Sequence, residues 1–144
     1  MTFSFTIGVC PRTKKTSNRF IQVPIPGTRL TRPMMLPSKA YEEFDEAAQR
    51  VLMLVRRKLA KPIDVPVNCE ALFYRERKDG DAVGYYQALA DTLQKAGIVI
   101  NDSLIISWNG SQMLKDQSRP RIEVTLTTLA EMQESLPMEQ EAKS

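Results

Sequence analysis

The chain has 144 residues, a length that suits one domain rather than two. Its content of 42% apolar and 26% charged residues is that of an ordinary globular protein. It has no histidine and only two cysteines, which excludes histidine-assisted nucleophiles, histidine metal sites, four-cysteine zinc sites and a disulfide framework. An enzyme with this composition must therefore use carboxylates, lysines, hydroxyls or a metal held by oxygen ligands.

The net charge of +3 is distributed unevenly along the chain. Residues 1–41 carry seven basic side chains and no acidic one, whereas residues 122–144 carry five acids and one lysine. A basic first third favours an anionic partner, although solvated loop charge explains the pattern equally well. The sequence has no apolar run long enough to span a membrane and no signal-peptide pattern, so we expect a cytoplasmic protein with reduced thiols and no membrane contact.

The first half of the chain predicts strands followed by a long helix. Apolar and polar residues alternate over 2–9, which is typical of a half-buried strand. The polar, basic segment 10–18 predicts a loop, 20–23 predicts a short strand, and 29–36 predicts a weakly extended segment. Apolar residues at helical spacing then predict a helix over 38–61, which ends before a proline.

The second half predicts a further helix among strands. We expect strands over 65–75, 104–108 and 121–127, and a helix over 82–96 that is closed by a glycine. Alternation within the first of these strands places Cys69 on its apolar face, where it is a small core residue. An Asn-Gly pair at 109–110 predicts a tight hairpin.

These elements predict an α+β domain, a mixed α/β sandwich of one mixed sheet of four to five strands packed with two helices. The domain would cover residues 1–128. Residues 129–144 are acidic and rich in methionine and glutamine, and we expect them to form a flexible tail or a frayed helix.

Four carboxylates stand out by their position. Asp79 and Asp81 flank a glycine between a strand and a helix, Asp91 lies on that helix, and Asp102 lies between two apolar runs. Clustered carboxylates repel each other unless a cation lies among them, and Mg²⁺ is the usual cation. Ordinary roles remain open for each of them: a turn residue, a helix cap, or in the case of Asp91 an ion-pair partner for Lys95.

The ordered set of acids is more specific than its members. Asp81, Asp91 and Asp102 occur in the segment DGDAVGYYQALADTLQKAGIVIND, with Gly97 ahead of the last acid. Their intervals resemble the central motif of the RusA-type Holliday junction resolvases, in which an Asp-x-Asp-Asn-like segment enters a helix that carries another Asp, and a Gly-hydrophobic-Asp-Asp segment follows. The loop at 10–19, the segment Pro-Ser-Lys-Ala-Tyr before the first helix and the strand at 120–124 are similar to the family's flanking segments, so the resemblance spans about residues 3–127.

The resemblance implies a structure-selective endodeoxyribonuclease that resolves four-way DNA junctions during DNA recombination and repair. Asp81 and Asp102, assisted by Asp79 and Asp91, would be the catalytic carboxylates and would hold Mg²⁺ or Mn²⁺. The partner would be branched DNA. The chain would act as a homodimer, because a junction is two-fold symmetric and a symmetric dimer presents two sites to two opposed strands.

The chain departs from the family pattern at four positions. Val83 replaces the second motif Asp, Gly84 the following Asn, Gln87 a helix Lys, and Asn101 the first Asp of the Asp-Asp pair. Asp79 is a candidate for the missing carboxylate. Because Val83 and Gln87 stand where the family has charged groups, the alternative function is a weakly active or non-catalytic branched-DNA-binding protein of the same fold. An unrelated α+β protein with a basic face is a third possibility.

Basic residues in the first loop and beside the acids are the candidate DNA contacts. They would bind backbone phosphates, so binding would fall steeply with salt, while solvated surface charge remains the ordinary explanation for each of them. The candidates are Arg12, Lys14, Lys15, Asn18 and Arg19 in the loop, and Arg75, Arg77 and Lys78 beside the acids.

Overall fold

A computed structural model describes residues 1–13, 19–36, 38–77 and 80–134 of the chain. Within these ranges, no helix is both long and apolar enough to cross a lipid bilayer. In chain order the elements are β1 (Thr2–Ile7), β2 (Arg19–Pro24), β3 (Thr31–Leu36), α1 (Lys39–Arg56), β4 (Val67–Arg75), α2 (Ala82–Lys95), a 3₁₀ turn (Asp102–Leu104), β5 (Ile105–Ser107), β6 (Gln112–Lys115), β7 (Arg121–Thr128) and α3 (Leu129–Glu134).

A mixed five-stranded sheet is the centre of the fold. Strand β7 pairs antiparallel with both β1 and β4, and the opposite edge of β4 pairs in parallel with β5 and then with β6. Strands β2 and β3 form a separate antiparallel hairpin. The prediction of an α+β domain with one mixed sheet is therefore confirmed; the pairing of β2 with β3 and the strand β6 are additional.

The core lies between the sheet and the two long helices. Alternate residues of β4 point into it, and burial raises the pKa of the Cys69 thiol, which confirms that Cys69 is a core residue. The side chains that fill this layer are Val67, Ala71 and Phe73 of β4, Ile122, Val124 and Leu126 of β7, Phe44, Ala48 and Leu52 of α1, and Ala88, Leu89 and Leu93 of α2.

The first helix ends earlier than the sequence pattern predicts. Its last residue is Arg56, and the backbone then tightens, with Lys58 N–H donating to Val55 O and Leu59 N–H donating to Arg56 O. The Arg56 guanidinium donates to Leu59 O at 3.0 Å. Leu59 still packs against the core, which explains why the apolar period continues beyond the helix.

The predicted hairpin at Asn109-Gly110 is wrong. The two residues do form a turn, and Gly110 has a φ of +89°, but β5 and β6 on either side of it pair with β4 and not with each other. An Asn-Gly pair specifies a tight local turn; the strand partners depend on the unpaired edge of β4, which is distant in sequence.

Asn68 connects this turn to β4. Its side chain is buried, its Oδ1 accepts hydrogen bonds from Ser107 Oγ at 2.6 Å and from Asn109 N–H at 2.9 Å, and its Nδ2 donates to Asn109 O at 3.1 Å. Just beyond it, the Ser111 hydroxyl accepts from Ala71 N–H and donates to Cys69 O. These side chains satisfy backbone groups where the β4 edge passes from β5 to β6.

Replacing Asn68 with Ala should lower the free energy of unfolding by about 2 kcal/mol, because it leaves the partly buried groups of Ser107 and Asn109 without their partner. Urea unfolding followed by the fluorescence of Trp108 measures this loss. The matched control is Asn109→Ala, which keeps both backbone hydrogen bonds and should change stability by less than about 0.5 kcal/mol. Equal losses in the two variants would contradict the assigned role of Asn68.

Candidate functional site

At the N-terminus of α2, the segment that follows β1 packs closely against the first turn of the helix. Asp81 is the N-cap residue, and its Oδ1 accepts a hydrogen bond from Gly84 N–H at 2.8 Å. Thr13, from the segment after β1, is buried beside Gly84: a Cβ on Gly84 would lie 2.8 Å from Asp81 Oδ1 and 3.4 Å from Thr13 Cγ2. A residue without a side chain therefore lets the segment after β1 pass directly over the capped end of α2.

An open groove of about 230 Å³ runs beside α2. The 3₁₀ turn that follows α2 forms its opposite side and is attached to the helix, because the Asp102 N–H donates to Gln94 Oε1 at 2.8 Å. The groove is lined by Val83, Tyr86, Gln87 and Ala90 of α2 and by Asp102, Ile105 and Trp108.

Two stacked aromatic rings form one wall of this groove. The rings of Tyr86 and Trp108 lie 4.5 Å apart between centroids and are inclined by only 6°, and the ring of Phe73 packs behind Tyr86 at 5.9 Å. Such aromatic packing anchors the end of β5 to α2. The residues of this wall are not among those predicted from the sequence; their only sequence signal is a lone tryptophan at the end of an apolar segment, next to a turn.

The predicted acidic residues lie at different places around the groove. Asp102 is exposed and lines it, Asp81 caps the helix that forms its other side, and Asp91 is half-buried on α2 directly after Ala90. Asp79 lies outside the described residues. Among the residues that the structure describes, no three Asp, Glu or Cys side chains form a group that could hold a metal ion, so the metal site remains a prediction.

Two of the positions that depart from the family pattern face the same groove. Val83 and Gln87, where the resemblance expects an Asp and a Lys, line it together with Asp102. Lys95, considered as a partner for Asp91, donates to Asp45 of α1 instead. This hydrogen bond raises the pKa of Lys95.

Three of the predicted DNA contacts have side chains in the described residues. Arg75 is only 6% exposed; its Nε donates to Leu114 O at 3.3 Å and its guanidinium lies over the Tyr85 ring at 5.4 Å, so it connects β4, β6 and α2. Arg12 is half-buried and Arg77 is exposed. The others lie outside the described residues: Lys14, Lys15, Asn18, Lys78 and the side chain of Arg19, which begins β2.

No protein-family model matches the chain, and a search of curated proteins finds no match. The relation to RusA-type resolvases therefore remains an expectation, which rests on the motif intervals.

The cap and the charge of Asp81 can be separated by two substitutions. Asp81→Ala removes the acceptor for Gly84 N–H and should lower the free energy of unfolding by about 1 kcal/mol, whereas Asp81→Asn keeps an oxygen acceptor and should lower it by much less. Thermal or urea unfolding measures both losses. If the two variants lose the same stability, the hydrogen bond to Gly84 does not stabilise α2 as described.

Proposed function

We propose that this chain is a metal-dependent endodeoxyribonuclease that cleaves branched DNA, with four-way junctions as its substrate. The observation that carries the proposal is the groove beside α2, in which Asp102 lies across from helix positions 83 and 87 while Asp81 caps the same helix. At positions 81, 83, 87 and 102 the resemblance expects charged groups that would act in phosphodiester cleavage.

The donor chemistry of the site fits Mg²⁺ or Mn²⁺. Asp81 and Asp102 offer carboxylate oxygens, with Asp79 and Asp91 as further candidates, and Mg²⁺ needs only one or two protein carboxylates when substrate phosphates and water complete its coordination. When bound, such an ion supplies an activated water and stabilises the leaving oxygen of the phosphodiester. The absence of histidine from the sequence leaves no imidazole to act as the base.

The remaining residues of the groove would position the DNA strand. The N-terminal end of α2 carries the positive end of the helix dipole, which favours a phosphate there. The Gln87 amide can donate to a phosphate oxygen, but without the charge of a lysine. The stacked Tyr86 and Trp108 rings form a wall that keeps the groove at a fixed width.

Both the symmetry of the substrate and the charge of the chain support branched DNA as the partner. A homodimer would present two such grooves to the two opposed strands of a junction. Arg12, one of the proposed phosphate contacts of the first loop, directly precedes Thr13 in the sequence, and Thr13 is seated on the first turn of α2 beside Asp81. Phosphate-binding residues and the acidic motif would therefore act on the same stretch of backbone.

A second function is favoured by one specific observation. Val83, which is 64% exposed, and Gln87 line the groove at positions where a second carboxylate and a lysine would serve catalysis. A chain with these residues would still bind branched DNA through its basic surface. The second candidate is therefore a branched-DNA-binding protein that does not cleave.

The test compares the wild-type chain with Asp102→Asn on a synthetic four-way junction and a linear duplex, with and without Mg²⁺. We expect paired nicks on the junction by the wild type only when metal is present, and a rate at least about 100-fold lower for Asp102→Asn, because removing a metal-holding carboxylate weakens activation of the water. Binding measured by gel shift should be retained by the variant.

The matched control for this experiment is Glu43→Gln, which removes an exposed carboxylate on α1, a helix that contributes no residue to the lining of the groove. It should cleave like the wild type. Equal cleavage by Asp102→Asn and wild type would contradict the role of Asp102. A junction shift by the wild type without nicks in either Mg²⁺ or Mn²⁺ would establish the second candidate.

Restoring the lysine expected by the resemblance should increase cleavage. Gln87→Lys replaces a neutral hydrogen bond to phosphate by a charge-assisted one, which should raise kcat/KM by about tenfold. The control is Gln133→Lys, which adds the same charge on α3. If both variants gain equally, the effect is general attraction to DNA and not an action in the groove.

A further inference from the structure

The β2–β3 hairpin exposes large apolar side chains that the proposed cleavage site does not use. Among the described residues its two strands pair with each other and with no strand of the large sheet, and their register places Phe20 opposite Met35. These side chains are 69% and 59% exposed, and Leu30, just before β3, is 68% exposed. Clustered apolar groups in contact with water are unfavourable and mark a surface that binds a partner.

The most exposed apolar side chains of the two strands share one face of the hairpin. Successive residues of a strand point to opposite faces, so Phe20 and Gln22 share a face with their cross-strand partners Met35 and Pro33. All four are exposed. The opposite face contains the half-buried residues Val23 and Leu36, the exposed Arg32, and Ile21 and Met34, which are about 40% exposed. We call the first face the outer face of the hairpin.

The charge of the hairpin favours one kind of partner. Residues 19–36 contain three arginines and no acidic residue, and Arg29 and Arg32 are exposed. A second copy would bring a hairpin of the same positive charge against the first, and like charges across an interface are costly. Nucleic acid matches this surface better than a second copy does, because it is a polyanion and its bases present apolar faces when they are unstacked.

We propose that the outer face of the β2–β3 hairpin stacks against unstacked bases at the branch point of DNA, with Phe20 against a base and with Arg29, which lies between the two strands, on a phosphate further along the DNA strand. Aromatic side chains bind base faces without regard to sequence, and apolar side chains insert at distorted base steps. Inside a linear duplex the base faces are covered by their neighbours. The hairpin would therefore give the chain a preference for branched over linear DNA.

This inference rests on the proposed function for its DNA partner, but it requires binding only and no cleavage. The experiment measures equilibrium binding to a four-way junction and to a linear duplex without divalent metal, with 2-aminopurine at the branch point as a reporter of base stacking. Phe20→Ala should weaken junction binding about tenfold and duplex binding less than about twofold, and should reduce the change in 2-aminopurine fluorescence.

Further variants separate stacking from apolar contact and from charge. Phe20→Trp should retain junction affinity, whereas Phe20→Leu should lose most of the preference although it is also apolar. Arg29→Gln should weaken junction and duplex binding alike and reduce the salt dependence of both. The matched control is Leu54→Ala on α1, which removes an equally exposed apolar side chain and should change neither affinity.

Each outcome separates the hairpin from the cleavage site. Junction binding that is unchanged in Phe20→Ala, while Asp102→Asn loses cleavage, would overturn the hairpin proposal alone. Weakened binding by Phe20→Ala in a chain that never cleaves would support the hairpin and reject the nuclease. No DNA binding by the wild type would overturn both. Loss of dimerisation in sedimentation, or of binding to vesicles of anionic phospholipid, with DNA binding unchanged would assign the outer face to a second copy or to a membrane and overturn the proposal.

Discussion

The contact of Thr13 with Gly84 is the constraint around which the candidate site is arranged. There is no room for a Cβ at position 84 between the Asp81 carboxylate and the Thr13 side chain. A larger residue would displace either the cap of α2 or the segment that follows β1. The same glycine therefore holds the cap residue Asp81 by its N–H group and lets Thr13, in the segment after β1, pack against the first turn of α2.

The side of the groove that faces α2 is positioned by the long strand β4, with which β5 pairs. Strand β7 pairs with one edge of β4, so β5 and β6 must share the other edge. In the turn between β5 and β6, the Asn68 side chain hydrogen-bonds the backbone N–H and C=O of Asn109. The path into β5 brings the turn at Asp102 against α2 and stacks Trp108 on Tyr86. The groove wall from Asp102 to Trp108 is thus attached at both ends, to Gln94 through the Asp102 N–H and to the buried Asn68 amide through Ser107 and Asn109.

Much of this arrangement can be predicted from the sequence, and the exceptions have a common cause. The helix predicted over 82–96 is found at Ala82–Lys95, and β4 is found inside its predicted span, because apolar periodicity and caps are local signals. The strand partners of the Asn109-Gly110 turn could not be predicted, because pairing depends on which edge of β4 is open. The groove could not be predicted either. It is formed by residues of α2 and by Trp108, and nothing in the local sequence of either segment indicates that the two come into contact.

The candidate site likewise contains residues that the sequence singles out and residues whose surroundings depend on distant segments. The motif intervals in the sequence single out Asp81 and Asp102. In the structure Asp81 is the N-cap residue of α2, and Asp102 lines the groove beside that helix. The sequence could not distinguish Arg75 from its exposed neighbours, because its burial comes from the rings and carbonyl groups that β6 and α2 bring to it. Asp79 and the tail at 135–144 lie outside the described residues, so their predicted roles remain predictions.

Cleavage of a mobile four-way junction by the wild-type chain, followed by ligation, is the most direct measurement of the proposed activity. In Mg²⁺ we expect nicks at symmetrical positions on two opposed strands. DNA ligase should reseal both, because attack of water with departure of the 3′ oxygen leaves a 5′-phosphate and a 3′-hydroxyl at each nick. A junction that stays intact in both Mg²⁺ and Mn²⁺, or one that is cut equally well in the presence of a chelator, would contradict a metal-dependent junction nuclease.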